Sequence, residues 1–165
     1  MAQYQYSFQG SEEKTAKAVG RDLPISFKQS IELCAFIRHR PVKQALHLLQ
    51  DAIDLKQPIP FKRFVNGYGH KSGMGPGRYV PTAAKNILQT INHAVKNAQQ
   101  KNLGTELIII HATAQQGSRS FHYGRQSRQK EKKTHVEIVV APAQEKIAER
   151  SVNTRTRASK KKQAS

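Results

Sequence analysis

Histidine, cysteine and paired carboxylates are the side chains from which catalytic and metal sites are usually built. In this 165-residue sequence they do not come together. The seven histidines, His39, His47, His70, His93, His111, His122 and His135, show no ligand spacing, and the single cysteine, Cys34, has no second cysteine to pair with. Cys34 lies beside Ala35 and Ile37 in an apolar helical pattern, so it reads as a small core residue rather than a nucleophile. Gly69, His70, Lys71 and Ser72 look like the end of a phosphate-binding P-loop, but lysine must directly follow the second glycine, and the first would fall on Phe64. Asp51 and Asp54 share a helix face, as a general acid and base can, yet beside that helix's apolar stripe they read as surface charges. No carboxylate cluster lies inside the basic regions, so the two-metal site of a typical nuclease has no ligands. No catalytic residue, metal or cofactor is expected.

What remains is the chemistry of cations on phosphates. Lys and Arg number 28 against 11 Asp and Glu, a formal charge of +17 whose self-repulsion calls for a polyanionic partner. A membrane surface would want a basic amphipathic helix or a lipid anchor, and neither is present in the pattern. Leu55 to Thr105 holds eight Lys or Arg and no acid at all, so something negative is expected against it. At its centre, residues 61–79 combine Lys62, Arg63, His70, Lys71 and Arg78 with five glycines and with Phe64, Tyr68 and Tyr79. Glycines let backbone amides approach phosphates, cations neutralise them, and the aromatics can stack on bases. For Phe61 and Phe64, core packing is an equally good reading.

A second basic stretch, Gly117 to Lys133, carries Arg119, Arg125, Arg128, Lys130, Lys132 and Lys133 against only Glu131, with Phe121, His122, Tyr123 and Gly124 interleaved. Such an arm can thread into folded RNA. A third is the tail 150–165, with Arg155, Arg157 and the run Lys160 to Lys162, too poor in apolar residues to order itself.

The elements that position these stretches follow from periodicity. Tyr4, Tyr6 and Phe8 alternate as in a short leading strand, and the polar segment Ser11 to Gly20 leads into a first helix. That helix is expected from Ser26, with Gln29 completing a capping box and Ile31, Cys34, Ala35 and Phe27 on one face, to Arg38 or His39. A second helix from Pro41 carries Val42, Ala45, Leu46, Leu49, Ala52 and Ile53, and Pro58 and Pro60 stop it. A long connection then runs to Val80. The third helix, from Pro81 or Thr82 to about Asn102, carries Ala84, Ile87, Leu88, Ile91, Ala94, Val95 and Ala98, with Gly104 placed to terminate it. Thr105 to Ala114 and Thr134 to Ala141 read as strands, and the basic residues between them as a long antiparallel hairpin, about 113–136. One domain over residues 1–149 is expected, of α+β class: a small antiparallel sheet packed on three helices, with a long protruding β-hairpin. With no apolar leader at Met1 to Gly10 and no window of eighteen apolar residues, a soluble cytoplasmic protein is expected.

At residues 14–141 the chain resembles the large-subunit ribosomal protein family L-twenty-two, in its archaeal and eukaryotic branch, where eukaryotes call it L-seventeen. The resemblance is carried by residues 20–26 (Gly-Arg-Asp-Leu-Pro-Ile-Ser), Ile37 and Arg38, residues 58–64 (Pro-Ile-Pro-Phe-Lys-Arg-Phe), 69–71 (Gly-His-Lys), 75–79 (Gly-Pro-Gly-Arg-Tyr), 110–112 (Ile-His-Ala) and 135–137 (His-Val-Glu). It implies an α+β body that binds large-subunit ribosomal RNA and a hairpin that reaches along the nascent-peptide exit tunnel, with neighbouring ribosomal proteins and the nascent peptide as further partners. RNA contact carries over to Lys62, Arg63, His70, Lys71, Arg78 and Tyr79, and to Gly124 and Arg125 near the hairpin tip. Three features depart from the family: His39 stands where glycine is usual, Val80 and Pro81 replace an earlier proline at the start of the third helix, and the tip keeps little of the arginine- and proline-rich pattern. The function this implies is that of a structural constituent that supports subunit assembly. A free nucleic-acid-binding module and an RNA-processing enzyme are the alternatives.

Overall fold

The structure, a computed structural model, describes residues 4–10 and 14–143. The expected basic tail 150–165, with Arg155 and Arg157, lies outside the described residues, as does the expected domain end at 149.

The fold is α+β. The chain runs through β1 (Ala16–Leu23), α1 (Phe27–Ile37), α2 (Val42–Ile53), β2 (Ile59–Pro60), β3 (His70–Lys71), β4 (Gly75–Arg78), α3 (Pro81–Gln100), β5 (Leu107–Gln116) and β6 (Thr134–Pro142). The main sheet is antiparallel with order β1-β6-β5, and the three helices cover one face. Alternation along β6 sends Val136, Ile138 and Val140 into the helical layer, where α3 packs on β1 and β6 and α1 on β5. Leu33, Ile37, Leu49, Ile87, Ile91 and Ile109 are fully buried there. Each contributes about 1.5–3 kcal/mol relative to an exposed side chain, enough in sum to oppose the repulsion of a strongly basic surface.

The second and third helices lie where periodicity puts them, and the first differs in its face and its cap. Ser26 is the N-cap of α1, but its side chain makes no capping bond, and the expected capping box is replaced by Ser30 donating its hydroxyl to the Ser26 carbonyl at 2.9 Å. The buried stripe of α1 is Ser30, Leu33, Cys34 and Ile37, while Ala35 is exposed. His39 does take the left-handed backbone (φ 66°) that glycine would take more easily. Its amide donates to Ile109 O at 2.8 Å, which ties the turn after α1 to the edge of β5. At the end of α3 the left-handed residue is Asn102 (φ 54°), with Leu103 N donating to Ala98 O. Gly104 comes after the cap and does not form it.

The largest correction is at the N-terminus. Residues 4–10 form no strand, and β1 starts within the polar segment Ser11 to Gly20 expected to lead into the first helix, pairing with β6 from Ala16↔Val140 to Leu23↔Thr134. Its inward residues are Ala16, Ala18 and Gly20, too small to register as an apolar stripe. Smallness is required at Gly20, where a Cβ would sit 2.9 Å from both Leu23 Cδ1 and Thr90 Oγ1.

Residues 4–10 instead cross the sheet's other face as a strap. Glu137, on β6 and fully buried, accepts from the Tyr4 hydroxyl at 2.6 Å, the Ser7 hydroxyl at 2.5 Å and the Ser7 amide at 3.0 Å. With its proton on Glu137, the Ser7 oxygen is left to accept from His111 Nε2 at 3.1 Å. Burial pushes the Glu137 carboxyl up, but the Ser7 and Tyr4 hydrogen bonds and the nearby His111 together hold it below the ordinary carboxylate range. His111 is lowered by burial and then by Arg38.

Both shifts make the strap acid-sensitive. A depressed carboxylate stabilises the fold above its unfolded value of about 4.3, and this is lost as pH falls through the folded value. A depressed histidine resists protonation in the fold, so stability starts to fall below about pH 6.5. Protection of the Ser7 amide against hydrogen exchange, corrected for intrinsic rates, should therefore fall as pH drops below about 6.5 and fall again below about 4.3. Constant protection over that range would show that Glu137 does not hold the strap.

Candidate nucleic-acid interface

Residues 59–78 hold a second, three-stranded sheet of order β2-β4-β3, so the expected long connection is partly structured. The strands are two to four residues long and rich in glycine and proline, with no apolar alternation to mark them. Three aromatics are committed inward. Phe61 is buried, Tyr68 packs on it with ring centroids 4.5 Å apart, and Phe64 is half-buried against the core. Of the two readings open for Phe61 and Phe64, both take core packing; Tyr68, expected to be able to stack on bases, packs on Phe61 instead, and Tyr79 is the loop aromatic left outside the core cluster.

The cations stand outside this layer. Lys62, Arg63, His70 and Arg78 are exposed and Lys71 is half-buried. Several lie over rings and keep their charged heads at the surface: Arg78 is 5.5 Å from the Tyr68 centroid, Lys71 is 5.4 Å from Tyr79, and Arg63 is 5.5 Å from Phe64.

One acid from elsewhere holds this loop. Glu32 of α1 is 4% exposed, and its carboxylate accepts from three consecutive amides: Lys62 at 3.2 Å, Arg63 at 2.7 Å and Phe64 at 2.9 Å. Hydrogen bonds to an ionised acceptor are the stronger kind, and here they turn the backbone inward and its lysine and arginine side chains outward. The acid-free stretch thus meets a negative group from its own chain. Sequence reasoning missed it, although the signal was present as the one acid of α1, adjacent to Leu33 and Cys34.

The hairpin extends the β5–β6 pairing beyond Gln116↔Thr134. Gly117 N donates to Lys133 O at 2.9 Å, Glu131 N to Ser120 O at 2.8 Å and His122 N to Gln129 O at 2.8 Å, and a 3-10 turn at Gly124–Gln126 makes the tip. Arg119, Tyr123, Arg125, Arg128, Lys130 and Lys132 are exposed, Tyr123 at 91%, whereas His122 and Lys133 are half-buried. Gly124 supplies the left-handed backbone (φ 67°) that the tip needs. Lys133 is partly engaged, 3.6 Å from Glu131, whose carboxyl is held below its usual range first by the Ser120 hydroxyl.

Lys28, which the sequence pattern did not mark, connects the two basic regions. Its ammonium lies 5.6 Å from the Phe64 centroid. With Phe27, Arg119, Lys130 and Lys132 it also lines a shallow cleft of about 210 Å³ between the start of α1 and the hairpin base.

The residues weighed for other chemistry are otherwise occupied. Asp51 pairs with His47 at 3.0 Å, and Asp54 is 3.3 Å from Lys56. Cys34 is buried, which pushes its thiol up to about 12. Among the described residues no group of three or more His, Cys, Asp or Glu can hold a metal ion, and no helix is long and apolar enough to cross a membrane.

Residues 18–141 match the family model described as ribosomal protein L22p/L17e. The chain belongs to this family. It is 40% identical over 122 residues to the large ribosomal subunit protein uL22 of Archaeoglobus fulgidus, covering 71% of this chain and 79% of that one. The protein of the same name from Staphylothermus marinus is 37% identical over 155 residues, 85% of this chain and 98% of its own. That of Methanocaldococcus jannaschii is 35% identical over 149 residues, covering 85% and 96%. The stretch matched by the L22p/L17e model takes in Glu32, the loop and the whole hairpin, and leaves out the strap.

Replacing Glu32 by alanine leaves the three amides of Lys62, Arg63 and Phe64 to find other partners, so Glu32→Ala should destabilise the isolated protein by about 3 kcal/mol. Chemical unfolding measures this, with hydrogen exchange expected to rise first at Lys62 to Phe64. Unchanged exchange at those amides would show that the carboxylate does not fix the loop.

Proposed function

We propose that this protein is a structural, non-catalytic constituent of the large ribosomal subunit in the cytoplasm. It binds large-subunit ribosomal RNA through the loop 61–79 and the hairpin, and supports RNA folding during assembly. It extends the hairpin along the nascent-peptide exit tunnel, with neighbouring ribosomal proteins and the nascent peptide as its other contacts. The observation that carries this reading is that the family match encloses two exposed basic regions that meet at Lys28, the loop of the first held in shape by a buried acid. Cations so placed displace condensed counterions from phosphates, and a two-stranded arm, marginal in water, gains order on entering folded RNA.

On a sucrose gradient at moderate salt the protein should co-migrate with the large subunit and resist a wash that strips loosely held basic proteins. With protein-free large-subunit RNA, log K should fall linearly with log salt. Lys62→Ala or Lys132→Ala should each reduce that slope by about 1. Equal affinity for duplex DNA, with sedimentation at the top of the gradient, would overturn the reading in favour of a free nucleic-acid module.

A further inference from the structure

Building on the RNA-binding reading, we propose that the open cleft lined by Tyr68, Gly69, Lys71, Arg78 and Tyr79 takes one unpaired nucleotide, its ribose-phosphate against the bare backbone of Gly69 and its base against the Tyr79 ring. The cleft has a volume of about 340 Å³, within the range of small-ligand sites.

Gly69 carries the inference because its neighbours have reasons to be glycine that it lacks. Gly67, Gly73 and Gly75 have left-handed backbone, with φ of 78°, 70° and 77°. At Gly77 a Cβ would come within 3.0 Å of Met74 Sδ and 3.2 Å of Lys71 Cγ. Gly69 has no positive φ, and a Cβ built there meets nothing within 4 Å. A side chain would cost the fold nothing in space or strain, and glycine costs it entropy. A surface that must approach the backbone from outside the chain is what a missing side chain serves.

The surroundings define that surface. Tyr68 is committed to Phe61, whereas Tyr79 has no ring partner among the described residues and only the Lys71 ammonium over it. Lys71 and Arg78 line the cleft beside Gly69 and supply charge for a phosphate. An aromatic ring, two cations and a bare backbone match an extruded base with its phosphate. Bases inside an A-form duplex are stacked on each other and offer no free face.

The test compares wild type, Gly69→Ala and Tyr79→Leu for chemical unfolding, for affinity to protein-free large-subunit RNA, and for nucleotide-by-nucleotide backbone reactivity of that RNA. Gly69→Ala should unfold at or slightly above the wild-type midpoint and bind about tenfold more weakly, and Tyr79→Leu should lose a similar factor in affinity, the worth of one stacked base. One unpaired nucleotide shielded by wild type should become reactive with both variants. Wild-type affinity and shielding in both variants would overturn the pocket and leave the RNA-binding reading standing. A lowered midpoint for Gly69→Ala would assign the glycine to the fold and overturn it as well. Failure of the wild type to bind would remove both.

Discussion

The carboxylate of Glu32 is the constraint on which the basic surface depends. A loop carrying Lys62, Arg63, Lys71 and Arg78 with no acid of its own would, left to its charges, spread apart in water. Three amides converging on one buried carboxylate fix its course instead, and they do so through the backbone, so no cation is consumed. Phe61 and Tyr68 then close the underside, and Arg78, Arg63 and Lys71 are left arrayed over rings with their charged groups outward. On the proposed reading, the phosphates of an RNA partner would meet a surface already ordered, which lowers the conformational cost of association.

The same device recurs on the sheet. Glu137 is also buried, and its oxygens are taken by Ser7 and Tyr4. In a chain with a formal charge of +17, these two buried acids hold chain segments in place through amides and hydroxyls. Ion pairs such as Lys43 with Glu106 stand at the surface, where their worth is small.

What could be read from the sequence follows the range of the interactions. The second and third helices show in their stripes because 3.6-residue periodicity is local, and the hairpin shows because two apolar strands flank a basic insert. β1 escapes because its inward residues are Ala16, Ala18 and Gly20, whose burial is set by α3, a contact some seventy residues away in the chain. The strap escapes because Tyr4 and Tyr6 alternate as a strand would, while their partners are Glu137 and cations on β1 rather than a neighbouring backbone. Of the interface, the cations were legible one by one. Their common support was not, since it rests on the contact of Glu32 with Lys62 to Phe64 and on Lys28 meeting both regions. The family resemblance supplied the large-subunit setting, which no spacing contains.

The most direct measurement is a density map of the large subunit purified from the native source. The account predicts this chain within it, with residues 61–79 and 117–133 both against ribosomal RNA and the Glu32 contacts to Lys62, Arg63 and Phe64 intact. A loop turned to solvent or to protein, with Lys62 and Arg63 remote from any phosphate, would contradict it.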